Sequence, residues 1–148
     1  ATMGSGADST VKAANVTVSA NAVTNLTDVV GNVGISASGN SFGASIDTIV
    51  FDKTVQALVG ENTSIKATGD ATIEAISKDD FVTVVAGIGA SAGKTAVNGS
   101  ASVTVMKNHV LAAVNSGANV RADGHITVEA LQQQKHVVFV SAEEFSDT

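Results

Sequence analysis

The stretch VTVSA at Val16–Ala20 decides the fold, because it returns twice at the same distance. It reappears as ATIEA at Ala71–Ala75 and as ITVEA at Ile126–Ala130, each time 55 residues further along and without a gap. Other positions match at the same offset: Val29 with Val84, Gly34 with Gly89, Val50 with Val105 and Gly69 with Gly124. A fixed period of this length indicates identical supersecondary units that bury their faces against one another.

Each repeat alternates small or β-branched apolar residues with polar ones, a pattern typical of β-strands. In the repeat 70–124 we predict strands at 72–77, 81–93, 100–105 and 110–114. Polar turns are predicted at 77–80, Lys94–Thr95, Lys107–Asn108, 115–117 and Asp123–Gly124. The stretch Ala130–Lys135 tolerates a helix but is assigned to a loop, and no segment has helical spacing.

The predicted fold is therefore all-β, a parallel β-solenoid built from 55-residue repeats. Equivalent side chains would form columns such as Val18/Ile73/Val128 and Val29/Val84/Phe139. If each repeat makes three coils, a coil takes roughly 18 residues. The alternative pairs 81–93 with 97–105 as antiparallel hairpins that stack into a roll or sandwich. The gapless period favours the solenoid, because in-register stacking requires it.

The repeat boundaries predict the organisation of the chain. Residues 1–5 are interpreted as a cloning remnant and 6–140 as the repeat array. The array comprises a partial repeat 6–14, repeats 15–69 and 70–124, and a partial repeat 125–140. Residues 141–148 are expected to leave the pattern as an acidic tail. Strand edges at the two ends of such an array would favour self-association.

The residue that tests the buried face is Val103. The sequence places it in an inward column with Thr48, beside Val105, so Val103→Asp is expected to bury an unpaired carboxylate.

The composition argues against several functional classes. There is no Cys, which removes disulfides and thiolate metal sites. Eight scattered basic residues against fourteen acidic ones give a net charge of −6, which argues against a nucleic-acid partner. No apolar run approaches the ~20 residues that span a bilayer as a helix. The chain also lacks Trp and Tyr, the aromatic residues that often line carbohydrate grooves.

Two short motifs imitate catalytic sites. The run Gly87–Thr95 ends in Gly-Lys-Thr like a phosphate-binding loop, but the first Gly is misplaced and a strand is predicted where the helix should begin. Gly89–Gly93 matches the Gly-x-Ser-x-Gly nucleophile pattern, which also needs a strand-to-helix turn and a nearby His. We interpret both as strand and turn sequences whose small residues permit close packing.

The remaining polar residues suggest no site either. The three histidines lie at predicted turns or strand edges: His109, His125 and His136. The acidic pairs Asp79–Asp80 and Glu143–Glu144 match no calcium-binding loop and are assigned to solvated turns. Four Asn-x-Ser/Thr sequons, at Asn15, Asn25, Asn62 and Asn98, are attributed to the composition of turns. The sequence thus predicts no catalytic, cofactor-binding or metal-binding residues and no enzyme activity.

The amino-acid sequence of the repeat resembles the repeats of leukotoxin-type filamentous adhesins of Gram-negative anaerobes. More distantly, it resembles the filamentous haemagglutinins of two-partner secretion. The residues that carry the resemblance are Ala71–Ala75, Val85–Gly93, Asn98–Val105, Val110–Val114 and Gly117–Val128, and it extends over about 7–140. The resemblance implies an exported protein at the bacterial surface or released from it, in which many repeats form a long rod.

The expected function is that of a non-enzymatic structural and adhesive segment of a large surface adhesin or toxin, associated with virulence. Its expected partners are neighbouring repeats of the same chain and a host receptor or glycan. The competing hypothesis is a carbohydrate-binding or carbohydrate-active β-helix that uses one sheet face as a groove.

Overall fold

A computed structural model describes residues 1–4, 8–93 and 95–146 of the chain. Within these residues every regular element is a β-strand, and there is no helix, so none is available to cross a membrane. The strands are β1 (Thr2–Met3), β2 (Ser9–Ala13), β3 (Val16–Ser36), β4 (Ser41–Val59), β5 (Thr63–Ala67), β6 (Ala71–Ser91), β7 (Ala96–Val114), β8 (Asn119–Ala122) and β9 (Ile126–Ser146).

The strands form three parallel sheets of three strands each, ordered β1-β4-β7, β2-β5-β8 and β3-β6-β9. Each sheet takes one strand from each successive repeat, as in-register stacking requires. The predicted parallel β-solenoid is therefore confirmed. The alternative of antiparallel hairpins is not observed, because β6 and β7 belong to different sheets. One repeat makes a single coil of 55 residues rather than three coils of about 18.

The stacking register follows the sequence period closely. Ile65 pairs with Val120 at an offset of 55, whereas Val11 pairs with Ile65 at an offset of 54. The connection after β2 therefore contains one residue fewer than the connection after β5. Backbone hydrogen bonds continue the stacking through this connection, because Gly69 N donates to Ala14 O at 2.7 Å and Gly124 N donates to Gly69 O at 2.9 Å.

Three predicted interruptions are absent, since 77–80, Lys107–Asn108 and 130–135 lie inside β6, β7 and β9. Polar residues suggested turns there, but a strand hydrogen-bonded to neighbouring repeats can hold polar side chains on either face. The predicted turns at 115–117 and 123–124 are confirmed. The break before β7 is confirmed at 92–93 and Thr95, whereas Lys94 lies outside the described residues.

The ends of the array differ from the predicted boundaries. Thr2–Met3 pairs with Leu58–Val59, although the sequence assigned residues 1–5 to a remnant. Strand β9 continues through 141–146, which the sequence assigned to a tail. Residues 5–7 and 147–148 of the predicted segments lie outside the described part of the chain.

The chain divides into two compact units, and unit 1 contains Ala1–Val23, Asp52–Asp79 and Lys107–Gln133. Its interior is apolar and built from small side chains, so that the strands approach closely. The buried apolar residues are Val16, Val18, Val55, Ala57, Val59, Ile65, Ala67, Ala71, Ile73 and Ala75. Of the predicted column Val18/Ile73/Val128, the first two members are buried here and Val128 is half exposed.

Unit 2 contains Thr24–Phe51, Asp80–Met106 and Gln134–Thr148, and the inward positions of β3, β4 and β7 within it are mostly polar. Inward side chains bond across successive repeats, as where Ser45 Oγ donates to Ser100 Oγ at 2.9 Å and Ser102 Oγ donates to Asp47 Oδ2 at 3.0 Å. Several large apolar side chains, among them Ile46 and Val103, point outward, whereas Phe81 and Val85 of β6 are buried.

The prediction that Val103 lies in a buried column is therefore wrong. Val103 is 51% exposed and Val105 is 41% exposed, while Ser102 faces inward. The reason is strand parity. Strand β7 alternates without a break from the buried Ala96 to the partly buried Val110 and Ala112, so the odd-numbered positions between them face outward.

Candidate functional site

The sequence that resembles a phosphate-binding loop forms no such loop. Strand β6 runs through Gly87 and Gly89 to Ser91, and β7 begins at Ala96. A phosphate site of this type needs a helix whose N-terminal amides face the anion. Both glycines instead face inward, where a Cβ on Gly89 would lie 2.8 Å from Asn98 Nδ2. The interpretation of this segment as strand and turn is confirmed for its described residues.

Ser91 is the last residue of β6, next to the turn that leads to β7. The side chain is buried, its Oγ donates a hydrogen bond to Gly39 O, and it accepts one from Gly93 N at 3.1 Å. Both contacts hold the hydroxyl within the turn. The Gly-x-Ser-x-Gly pattern thus has a structural explanation: the Ser closes the turn, and Gly93 lets two backbones approach.

His136, the histidine of unit 2, lies away from Ser91. His136 lies beside Thr83, with Nε2 and Oγ1 3.4 Å apart, and its ring meets Phe81 edge-on. Eight residues of extended strand separate Thr83 from Ser91, about 26 Å at ~3.3 Å per residue. His109 and His125 are exposed. His136 therefore forms no nucleophile–base pair with Ser91.

The two acidic pairs have unequal environments. Asp80 is exposed, as predicted for a solvated residue, but Asp79 faces inward and is fully buried. Glu143 and Glu144 are exposed on β9, and Glu144 Oε1 accepts from Asn98 N at 3.3 Å. Within the described residues no three His, Cys, Asp or Glu side chains come together as a metal site would require.

Asp79 lies at the centre of a polar cluster inside unit 1. Its Oδ1 is 2.5 Å from Lys53 Nζ, and its Oδ2 accepts from Asn108 Nδ2 at 2.6 Å. Ser77 Oγ also donates to Oδ2, at 3.0 Å. The side chain of Asp79 is 0% exposed and that of Lys53 is 11% exposed. The prediction that Asp79 belongs to a solvated turn is therefore wrong. We call Lys53, Asp79 and Asn108 the buried triad.

A second acidic contact occurs in unit 2 between Asp28 and Asp47. Burial, a hydrogen bond with Asp47 and the charge of Asp47 all raise the pKa of Asp28, and a backbone hydrogen bond at Val29 lowers it in part. Asp47 is also the acceptor for Ser102. The pKa of Asp28 is therefore held above its usual range.

The sequons do not all lie in turns. Asn62 has a positive φ of 56° in the turn before β5, and Asn15 Oδ1 accepts from Asp70 N at 2.9 Å in a connection between strands. Asn25 and Asn98 instead lie within β3 and β7. The Asn98 side chain has buried amide atoms and is not accessible for a glycan.

Unit 2 also has many exposed apolar side chains. On the outward side of β4 and β7, exposed apolar side chains recur at intervals of two, four or six positions. We call this set the apolar face: Phe42, Ile46, Val50, Val97, Val103 and Val105. Ile46 is 81% exposed. The outward side of β3 and β6 has a similar character, with Val29, Val33, Ile35 and Ile88 exposed. Clusters of exposed apolar side chains are typical of contact sites.

An open groove of about 710 Å³ also lies in unit 2, between the turn-proximal ends of β3 and β6 and the end of β9. Its polar side chains include Ser36, Ser91 and Glu144, and Phe145 supplies one aromatic ring. Glycoside hydrolysis ordinarily needs a pair of carboxylates, and among the described residues that line this groove Glu144 supplies one.

The sequence missed both prominent features, the buried triad and the apolar face. A comparison with protein-family models, with curated proteins and with solved structures gives no significant match.

Proposed function

We propose that this chain is a non-enzymatic, adhesive repeat segment of a large exported bacterial surface protein, either an adhesin or a toxin. The β-solenoid would serve as the scaffold, and further repeats would add coils by the same parallel pairing. The resemblance of the repeats to filamentous adhesins supports this origin, and the proposed location is the outer surface of the bacterium or the medium.

The observation that carries the proposal is the apolar face. Phe42, Ile46 and Val50 point to solvent although burial of such side chains is favourable by about 1.5–3 kcal/mol each. A sheet that places polar groups inside and apolar groups outside gains that energy when its outer surface is covered. The proposed contact surface is therefore a sheet face, with affinity spread over repeated positions rather than concentrated in a pocket.

Binding of the fluorescently labelled chain to cultured host cells tests this proposal. The variant Ile46→Asp/Val50→Asp places two charges on the apolar face, and we expect binding to fall by about tenfold or more, which corresponds to a loss of at least ~1.4 kcal/mol. Thr48→Asp is the control for the effect of an added charge, because it places one carboxylate at an exposed polar position on the same side of β4.

The outcomes separate the hypotheses. If the parent chain does not bind cells, or if the Ile46/Val50 variant binds as well as the parent, the apolar face is not the adhesive surface. If soluble glycans compete for binding while the face variants have no effect, a carbohydrate-binding function is favoured instead. Far-UV circular dichroism on each variant confirms that the strands remain folded.

A further inference from the structure

The buried triad brings together a primary amine, a primary carboxamide and a carboxyl group. Lys53 lies on β4 and Asn108 on β7, neighbouring strands of one parallel sheet. The two residues are 55 positions apart, so they occupy the same place in successive repeats. Asn115 N donates to Val59 O at 2.9 Å, as this register requires. Their side chains therefore start from adjacent positions and point to the same interior.

Asp79 on β6 touches both of them. One carboxyl oxygen is 2.5 Å from Lys53 Nζ and the other is 2.6 Å from Asn108 Nδ2. The amide oxygen of Asn108 is buried and has no hydrogen-bond partner among the described residues. The amide of Asn108 and the amine of Lys53 therefore contact the same buried carboxyl group, and no other group engages the amide carbonyl.

The triad is also a departure from the repeat. The positions equivalent to Asp79 are Thr24 and Gln134, and the position of Lys53 is taken by Asn108 one repeat later. A carboxyl group between Lys and Asn therefore occurs at one level of the stack only, whereas an ion pair needed for stacking in general would recur with the period.

We propose that Lys53 and Asn108 form a covalent amide bond, with Asp79 as the catalytic residue. Asp79 takes a proton from the Lys53 ammonium, which leaves a neutral amine suited to the water-poor interior. The Nζ lone pair attacks Cγ of Asn108, and the bond from Cγ to Nδ2 breaks. Asp79 returns the proton to Nδ2, which leaves as ammonia, and then accepts the second proton that Nζ loses as the new amide forms. A C–N bond forms as another breaks, and no oxidant or reductant is needed.

Folding promotes this reaction by holding the reacting groups next to each other. Amines and carboxamides do not react at useful rates in water, but reacting groups held in place gain the equivalent of a very high local concentration. The product joins β4 to β7 and so ties two successive coils together. This modification does not depend on the adhesive function proposed above, because it lies in the interior of unit 1.

The intact mass of the purified full chain tests the inference. We expect a mass lower than that of the sequence by one ammonia molecule. Trypsin does not cleave after an acylated lysine, so the digest should contain the peptide 13–66, uncut at Lys53, joined to 108–121. Tandem mass spectrometry locates the bond between the two side chains.

Three variants separate chemistry from packing. Asp79→Asn keeps the size of the side chain but removes the proton carrier, and Asn108→Ala removes the carbonyl, so each is expected to have its full sequence mass and to be cut at Lys53. Asp80→Asn, at the adjacent exposed position of β6, is the matched control and is expected to retain the bond.

The parent protein alone can overturn the inference, even if a variant fails to fold. A full sequence mass, with free peptides 13–53 and 54–66 in the digest, would show that the triad is a plain buried ion pair. A loss of one water molecule, with 13–66 joined to 79–94, would place the bond at Asp79 and would also refute the proposed chemistry.

Discussion

Val103 and Ile73 are β-branched residues of similar character with opposite environments, since Val103 is 51% exposed and Ile73 is 1% exposed. We expect Val103→Asp to lower the free energy of unfolding by less than about 1 kcal/mol, because its carboxylate stays in water. Ile73→Asp is expected to cost ~3–5 kcal/mol, because it buries an uncompensated charge. Urea denaturation of both variants measures the difference. A large loss for Val103→Asp would mean that the parity of β7 is opposite to that described.

Asp28 makes stability depend on pH. Its pKa in the folded chain is raised by burial and by Asp47, so between the unfolded and the folded pKa the folded state holds more protons. Stability from this group is therefore present at acid pH and is lost as pH rises through that window. Asp28→Asn, which needs no proton, is expected to raise the melting temperature at pH 7 and to change it little below the usual Asp range. An equal shift at both pH values would exclude Asp28 as the cause.

The buried triad could not be predicted from the local sequence pattern, for a specific reason. Asp79 and Asp80 are adjacent and chemically identical, and only strand parity decides that the first is buried. The partners Lys53 and Asn108 are 26 and 29 residues away, so no local pattern connects them. Once the 55-residue period is known, however, Lys53 and Asn108 can be placed next to each other from the sequence alone.

Among the elements, the connection between β6 and β7 depends on a close backbone contact. A Cβ at Gly93 would lie 2.6 Å from Gly39 O and would overlap Gly39 N, in the corresponding turn of the previous repeat. Gly93→Val is therefore expected to cost about 1–3 kcal/mol through overpacking. Gly99→Val, on β7, has no atom within 4 Å of the new Cβ and is the matched control, expected to be neutral. Thermal melts of both variants test this, and equal stability would mean that the two turns can move apart.

The strands were predictable as elements, but their lengths were not. Alternation of β-branched and polar residues identified strand within β6 and β7 correctly, and Asn, Asp and Gly marked the real turns near 115–117 and 123–124. The sequence predicted turns at Ser77, Asp79 and Asn108, because the polar residues that favour turns also occur at inward-facing positions of these strands. The sequence therefore divided two long strands into several short ones and overestimated the number of coils.

At the scale of the whole molecule, the period of 55 residues fixes which strands pair, and the composition follows from it. Each inward position is stacked on its own equivalent, so small residues and hydrogen-bonding pairs such as Ser45 with Ser100 suit the interior. The same stacking aligns outward positions, which is why apolar residues such as Val50 and Val105 accumulate into one face. Repetition thus produces the surface as well as the core.

That surface predicts the solution behaviour of the chain. Exposed apolar side chains and the edge strands of the sheets both favour self-association, and the net charge of −6 opposes it most strongly at low salt. Sedimentation velocity is expected to show larger species as protein and salt concentrations rise. Ile46→Asp/Val50→Asp should reduce this association more than Thr48→Asp does if the apolar face mediates it, whereas equal association of both variants would assign it to strand edges. A monomer at high protein and salt concentration would contradict both routes, because it would mean that neither the face nor the edges are adhesive enough to join two chains.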